Sequence, residues 1–402
     1  MRKNILIPSL LVIITLLTSC GSNSQKDVNQ PINLPQNQVF SLQEKEFVHN
    51  LFLTEYLWYD QVSSYVDYAL ITQPQSLINT LRVNPNDQWS FSMTKQAYEN
   101  FANQKTVGFG FGYSQDFTLY LVRIDAPAYH KLYRGDTILE VNGQPVTQER
   151  IAQASSNEGQ ATVFTVLRDT QELIIHVTPS NYTFKVSLGK IIEHKGKNIG
   201  YLRYDSFTSS SAAEFEEEFT KFKNNNIAEL IIDLRYNGGG SISVASALLD
   251  NITNIYPGQR QGYLDWNINN QKKNETFNFE DTDLQDGNEL NMKRVFFLVT
   301  KNSASASELI ISALEPYLGK NNVITIGTET HGKPVGMAGR VYANNYYFLV
   351  NFLVRNDADN TTSFYGIPVT CEAEDNLAYQ RGDSDEPMLK KALYYIDNAA
   401  CI

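Results

Sequence analysis

Apolar residues recur at intervals of three and four through Phe47-Val48-x-x-Leu51-Phe52-x-x-x-Tyr56-Leu57, a spacing that lines one face of a helix. Residues 39–103 therefore read as an N-terminal helical cap, with Tyr56, Trp58 and Tyr59 as core aromatics. At Val107 the period changes. The run Gly108-Phe109-Gly110-Phe111-Gly112 leads into alternating Phe117, Leu119 and Leu121, then Ala126-Pro127-Ala128, then Arg134-Gly135-Asp136-Thr137-Ile138-Leu139-Glu140-Val141-Asn142-Gly143. The last segment reads as a strand closed by Asn-Gly, a dipeptide that tolerates positive φ. With strands over 162–167 and 173–177 and one helix after Ala126, residues 104–182 form a small module of short strands.

Beyond residue 183 strand and helix alternate. Ile199-Gly200-Tyr201-Leu202-Arg203 is followed by an Asp- and Ser-rich break over 205–211, then by a Glu-rich helix carrying Phe215, Phe219 and Phe222. The run Ile227-Ala228-Glu229-Leu230-Ile231-Ile232-Asp233-Leu234-Arg235 is apolar enough for a strand buried on both faces. Strands over 295–300 and 323–326 and helices over 242–249 and 307–317 complete a pattern that predicts a layered α/β core over 183–402. The stretch 261–292, dense in Asn, Asp and Glu, reads as an insertion over that core. There is no internal repeat.

The amino terminus follows another pattern. Arg2 and Lys3 precede an apolar run from Ile5 to Leu17 and a close of small residues, so residues 1–20 read as a secretory signal. Its end, Leu17-Thr18-Ser19-Cys20-Gly21, resembles the bacterial lipobox, which implies a lipid on Cys20 and membrane attachment through it. The apolar run is shorter than the ~20 residues of a membrane span. Residues 21–38, rich in Ser, Asn, Gln and Pro, read as a flexible tether. A cell-envelope lipoprotein is expected, in the outer membrane because Gly21 and Ser22 offer no inner-membrane retention Asp. A Cys371–Cys401 disulfide is permitted there, although spacing alone does not establish it.

Composition narrows the function. The 402 residues carry 33 Lys+Arg against 44 Asp+Glu, a net charge of −11, which argues against nucleic acid as a partner. Three Cys and five His, with no CxxC pair and no HExxH, argue against zinc. No GxxxxGK[ST] loop is present, which removes the commonest nucleotide-hydrolase reading.

Three segments carry candidate chemistry. In Phe297-Leu298-Val299-Thr300-Lys301-Asn302-Ser303-Ala304-Ser305-Ala306-Ser307-Glu308 a strand ends, small residues turn and a helix begins. A Ser there is exposed beside a positive helix terminus, a favourable setting for a nucleophile and its oxyanion. Taken singly, Ser303 and Ser307 read better as helix caps. Asp233-Leu234-Arg235-Tyr236-Asn237-Gly238-Gly239-Gly240 also follows a buried strand. Its Gly triplet can aim N–H groups into a cavity, as an oxyanion hole, or form a phosphate nest or plain turn. In Thr330-His331-Gly332-Lys333-Pro334 the Lys is held on short backbone and could point inward; alone, it also reads as a solvated loop residue.

Together these segments resemble the C-terminal processing peptidases, or tail-specific serine peptidases, over roughly residues 104–402. The segment Ala126-Pro127-Ala128 through Asn142-Gly143 likewise resembles PDZ domains, which take an extended peptide as an added strand. The resemblance implies a crotonase/Clp-peptidase-like β-α spiral catalytic domain with an inserted PDZ-like domain, beside the N-terminal helical cap. It implies a Ser–Lys dyad of Ser305 and Lys333, oxyanion donors Ala306 and Gly239 or Gly240, and peptide contacts by Gly108, Phe109, Gly110 and Phe111. Polypeptides would be the substrates, and no cofactor or metal is required. Lys333 must then be neutral near pH 7–8 against an ordinary value of about 10.4, a preference of ~4 kcal/mol that burial can supply.

Two departures stand out. Many members carry Gln four residues after the Lys, where it orients that base; here the position is Met337. The 28 residues from Ser305 to Lys333 are also more than usual, through added turn residues over 318–322. Ser307 is the rival nucleophile and His331 the rival base. A non-catalytic binder of peptides or apolar ligands on the same scaffold, and a structural surface lipoprotein, are the alternative functions.

Overall fold

The computed structural model describes residues 40–280 and 287–401. The signal, the lipobox Cys20 and the tether lie outside the described residues. The central sheet runs Ser187–His194, Lys197–Tyr204, Glu229–Asp233, Val295–Val299, Val323–Gly327 and Cys371–Glu372; its first two strands are antiparallel and the rest parallel. Parallel strands covered on both faces send alternate side chains to opposite layers. Leu230, Ile232 and Phe297 pack with Phe215, Phe219 and Phe222 of the helix Ser211–Asn224. Ile231, Phe296 and Ile324 pack with Leu389, Leu393 and Ile396 of the helix Pro387–Asn398. A disulfide joins Cys371 on the last strand to Cys401 just beyond that helix.

A second sheet forms on the long strand Asn345–Arg355. Val335–Tyr342 pairs along one edge, while Phe91–Thr94 and Arg260–Trp266 share the other, with Thr276–Asn278 outermost. Two expectations change here. The segment read as a helical cap does hold the helices Leu42–Thr54, Pro74–Leu81 and Lys95–Ala102, but it also contributes the strand Phe91–Thr94. It has no core of its own: Val48, Phe52, Leu77 and Ile78 pack against Met337, Tyr347, Phe348 and Val350. Tyr56 is fully buried there, whereas Trp58 and Tyr59 are half-buried. The stretch read as an insertion likewise supplies Arg260–Trp266, which pairs with the long strand from Tyr263 to Trp266. Its polar composition hid a strand that buries only alternate residues.

The module over 104–182 has a separate core of Phe109, Leu119, Ile138, Phe164, Val166 and Val177. Its entering and leaving strands, Lys105–Gly108 and Ser180–Thr183, pair with each other. The Phe109 ring is buried edge-on to Phe164 at 4.9 Å and its carbonyl accepts from Ala128 N at 3.0 Å; Phe111 is half-buried and stacked on it. A Cβ on Gly108 would lie 2.3 Å from Ser155 Oγ, and one on Gly110 2.2 Å from Ala126 Cβ, so both must be Gly.

Phe219 is fully buried between helix and sheet. Phe219→Ala is expected to cost about 3–5 kcal/mol in chemical denaturation; a loss below about 1 kcal/mol would contradict this packing.

Candidate active site

The strand Val295–Val299 is buried at every residue, and the chain then turns through Thr300–Ala304 into the helix Ala306–Leu318. Ser305 stands at the junction with φ 57° and ψ −113°. A side chain held there costs on the order of 1–3 kcal/mol, so the surroundings must enforce it. They do so through Ser305 N, which donates to Glu308 Oε2 at 2.8 Å, and through Leu309 N, which donates to Ser305 O at 2.8 Å.

The three serines part company at this turn. Ser303 Oγ donates to Leu234 O and Ser307 Oγ to Asn237 O, each at 2.8 Å, and both residues are fully buried. Ser305 is half-buried and lines a cleft together with Ala306, Leu309, Lys333, Pro334 and Val354. Ser307, the rival nucleophile, is therefore a tie between helix and glycine loop.

The glycine loop follows the strand Glu229–Asp233 and is organised by Asn237. Asn237 Nδ2 donates to Tyr204 O at 3.0 Å, and Asn237 Oδ1 accepts from Gly239 N at 2.9 Å. Gly239 has φ 103°, and a Cβ there would lie 2.8 Å from both Ala304 O and Ser305 Cβ. The candidate oxyanion donors now separate. Gly239 spends its N–H on Asn237, whereas Ala306 N and Gly240 N meet no acceptor among the described residues.

Asp233 and Arg235 of the same motif point away from this chemistry. Arg235 is fully buried and binds Asp233, Asp375 and Glu386. Burial alone would raise the Asp233 carboxyl, but Arg235 and Arg381 hold it far below the usual range. Arg134 of the small module joins the network through Asp375 and the Tyr236 hydroxyl. These charges anchor the glycine loop to the rest of the protein.

Lys333 lies between the strand Val323–Gly327 and the second sheet, 3% exposed, with no ion pair among the described residues. Loss of hydration drives its amine down to about 7, against smaller opposing effects of Asp87 and Glu308. The extra length before it is a turn from Gly319 to Asn322 between helix and strand. His331 is half-buried, and its Nε2 accepts from Trp89 Nε1 at 3.4 Å; burial lowers its pKa. No hydrogen bond links His331 to Ser305 among the described residues.

Sequence reasoning missed Glu308. Fully buried, it accepts from Ser305 N and Lys333 N on Oε2 and from Gly332 N and Thr330 Oγ1 on Oε1, at 2.6–2.9 Å. One carboxylate thus holds the backbone of both candidate catalytic residues. The Ser305-x-x-Glu308 spacing is a capping-box signal and could have flagged it as a cap, though not as a clamp on a loop 25 residues away. Asp87 and Trp89, also missed, reach the site from the N-terminal segment.

The sequence profile of peptidase family S41 matches residues 198–362. The chain is 26% identical over 200 residues to the "Tail-specific protease" of Haemophilus influenzae, a match covering 49% of this chain and 25% of that protein. It is 25% identical over 293 residues to the "Probable CtpA-like serine protease" of Staphylococcus epidermidis, covering 65% and 55%. The chain therefore spans a quarter to just over half of the length of these curated relatives. The crystal structure of the "Putative S41 protease" of Bacteroides fragilis superposes with a TM-score of 0.75 at 22% identity, covering 88% of this chain and 97% of that one, so the mixed α/β fold is shared.

The lysine carries a thermodynamic signature. Its amine titrates at about 7 folded against 10.5 ordinarily, so below pH 7 the folded state bears the full cost of a buried charge. Between those values the unfolded chain holds the extra proton, and the cost fades as pH rises. Lys333→Met should therefore stabilise the protein by a few kcal/mol at pH 6, at about 1.36 kcal/mol per pH unit of difference, and by little at pH 10. Equal effects at both pH values in denaturant titrations would refute the depressed amine.

Proposed function

Because the chain belongs to peptidase family S41, among the C-terminal processing peptidases, we propose that it is a serine endopeptidase with a Ser305–Lys333 dyad. Its substrates would be extended or carboxyl-terminal segments of polypeptides outside the cytoplasm. The observation that carries this reading is the half-buried Ser305, in a strained turn, sharing one cleft with a buried, unpaired lysine amine. A mere binder needs neither the strain nor the buried amine.

In this reading neutral Lys333 takes the Ser305 proton as Oγ attacks the scissile carbonyl carbon. The carbonyl π electrons move to oxygen, where N–H groups of Ala306 and Gly240 meet the charge. Collapse expels the amine, which leaves with the proton held on Lys333. Water, deprotonated by Lys333, then releases the acyl group from Ser305. The module over 104–182 would bind or gate the substrate as a PDZ-like domain. The Leu17–Gly21 stretch supports export and anchoring through Cys20, with an outer-membrane location. The spiral catalytic architecture of residues 183–402 belongs to the same proposal.

An unstructured reporter polypeptide should be cut by the wild-type protein. Ser305→Ala should abolish cleavage, and Lys333→Ala should lower kcat about 10²–10⁴-fold. His331→Ala should retain activity within a few-fold; its loss together with survival of Lys333→Ala would transfer the base role to His331. Because the protonated amine is inactive, kcat/KM should rise with pH through a midpoint of about 7. Binding of the reporter without any cleavage would favour the non-catalytic alternative.

A further inference from the structure

Met337 leaves the Lys333 amine without the side chain that orients it in many relatives, and the N-terminal segment reaches the same loop through Trp89 and His331. Asp87 lies between the helix Pro74–Leu81 and the strand Phe91–Thr94 and is fully buried. Its Oδ1 accepts from Trp89 N and Ser90 N at 2.9 Å; its Oδ2 accepts from Tyr56 OH at 2.8 Å and Ser90 Oγ at 2.5 Å. No cation pairs with it among the described residues. A buried carboxylate so fully fixed, without a counter-charge, is costly unless its charge is used.

Two contacts fix where that charge sits. Ser90 Oγ accepts from Val350 N at 3.0 Å, and Val350 lies directly opposite Met337 in the sheet. The Asp87 carboxylate is thus pinned at the rung of Met337, across the long strand from it. Trp89 donates to His331, two residues before Lys333. The segment 87–90 is therefore held on the long strand by Ser90 and reaches the loop of Lys333 through Trp89. Of the charges acting on the amine, Asp87 comes first and Glu308 second, and Glu308 is already committed to backbone N–H groups. His331 is the other titratable neighbour, itself faced by Lys301; Tyr56 stays neutral, its pKa raised by burial.

We propose that Asp87 is the positioning residue of Lys333, its fixed carboxylate stabilising the ammonium formed when the lysine takes the Ser305 proton. It fills the role left open by Met337. The arrangement parallels a carboxylate that steadies the imidazolium of a serine-protease His, with the acid supplied from the N-terminal segment. This inference rests on the Ser305–Lys333 reading.

The test uses the full chain without its signal, the reporter polypeptide, and a fluorophosphonate probe for Ser305. Asp87→Asn should lower kcat about 10–100-fold, leave KM within about two-fold, and move the pH midpoint of cleavage and of labelling to more acid values, since losing the negative charge disfavours the ammonium. Adding Met337→Gln to Asp87→Asn should restore at least part of kcat. Ser90→Ala, which frees the carboxylate without removing it, should shift the midpoint the same way by a smaller amount. If Asp87→Asn does not fold, Ser90→Ala decides alone. An unmoved midpoint in each variant that folds overturns the proposal. A wild-type profile with no midpoint near 7, or probe on another serine, overturns the dyad itself.

Discussion

A lysine amine buried without a partner is the most expensive element of this structure, and the rest of the site is arranged around keeping it so. The conventional remedy, a carboxylate in direct contact, would hold the amine charged and useless as a base. Glu308 instead gives its oxygens to Ser305 N, Lys333 N, Gly332 N and Thr330 Oγ1. The carboxylate therefore fixes the backbone on both sides of the chemistry without neutralising the amine. Positive φ at Ser305 and at Gly332 is tolerated because the same group ties both turns.

This rigidity is inherited from the layers beneath. The helix Ala306–Leu318 and the glycine loop each begin where a buried parallel strand ends, so their backbones start from atoms that cannot move independently of the core. Asn237 links the two, with its carbonyl accepting from Ala304 N and Ser307 Oγ. The Arg235 network then ties the glycine loop to the carboxyl-terminal segment and, through Arg134, to the small module. A peptide bound on that module would act on a loop already in mechanical contact with it.

Much of this was legible in the sequence, for identifiable reasons. Ile227–Arg235 is apolar at six of its nine positions, in keeping with a strand buried on both faces. The Phe215, Phe219 and Phe222 spacing marked a helix face that all three residues bury. The positions of Ser305 and Lys333 followed from motif order. What could not be read was anything resting on contact between distant segments. Glu308 clamps a loop 25 residues away, and Asp87 lies some 250 residues before the lysine it influences. Arg260–Trp266 was hidden because Asn- and Asp-rich flanks outweigh a half-buried strand. The Gly triplet could not be resolved into donors, since only the Asn237 side chain decides that Gly239 is occupied.

The amine itself can be observed. With ε-¹⁵N-lysine labelling, one resonance should disappear in Lys333→Met and, in the wild-type protein, titrate with a midpoint of about 7. The same resonance titrating above about 9, as an ordinary hydrated lysine does, would contradict the dry, uncharged base on which the account depends.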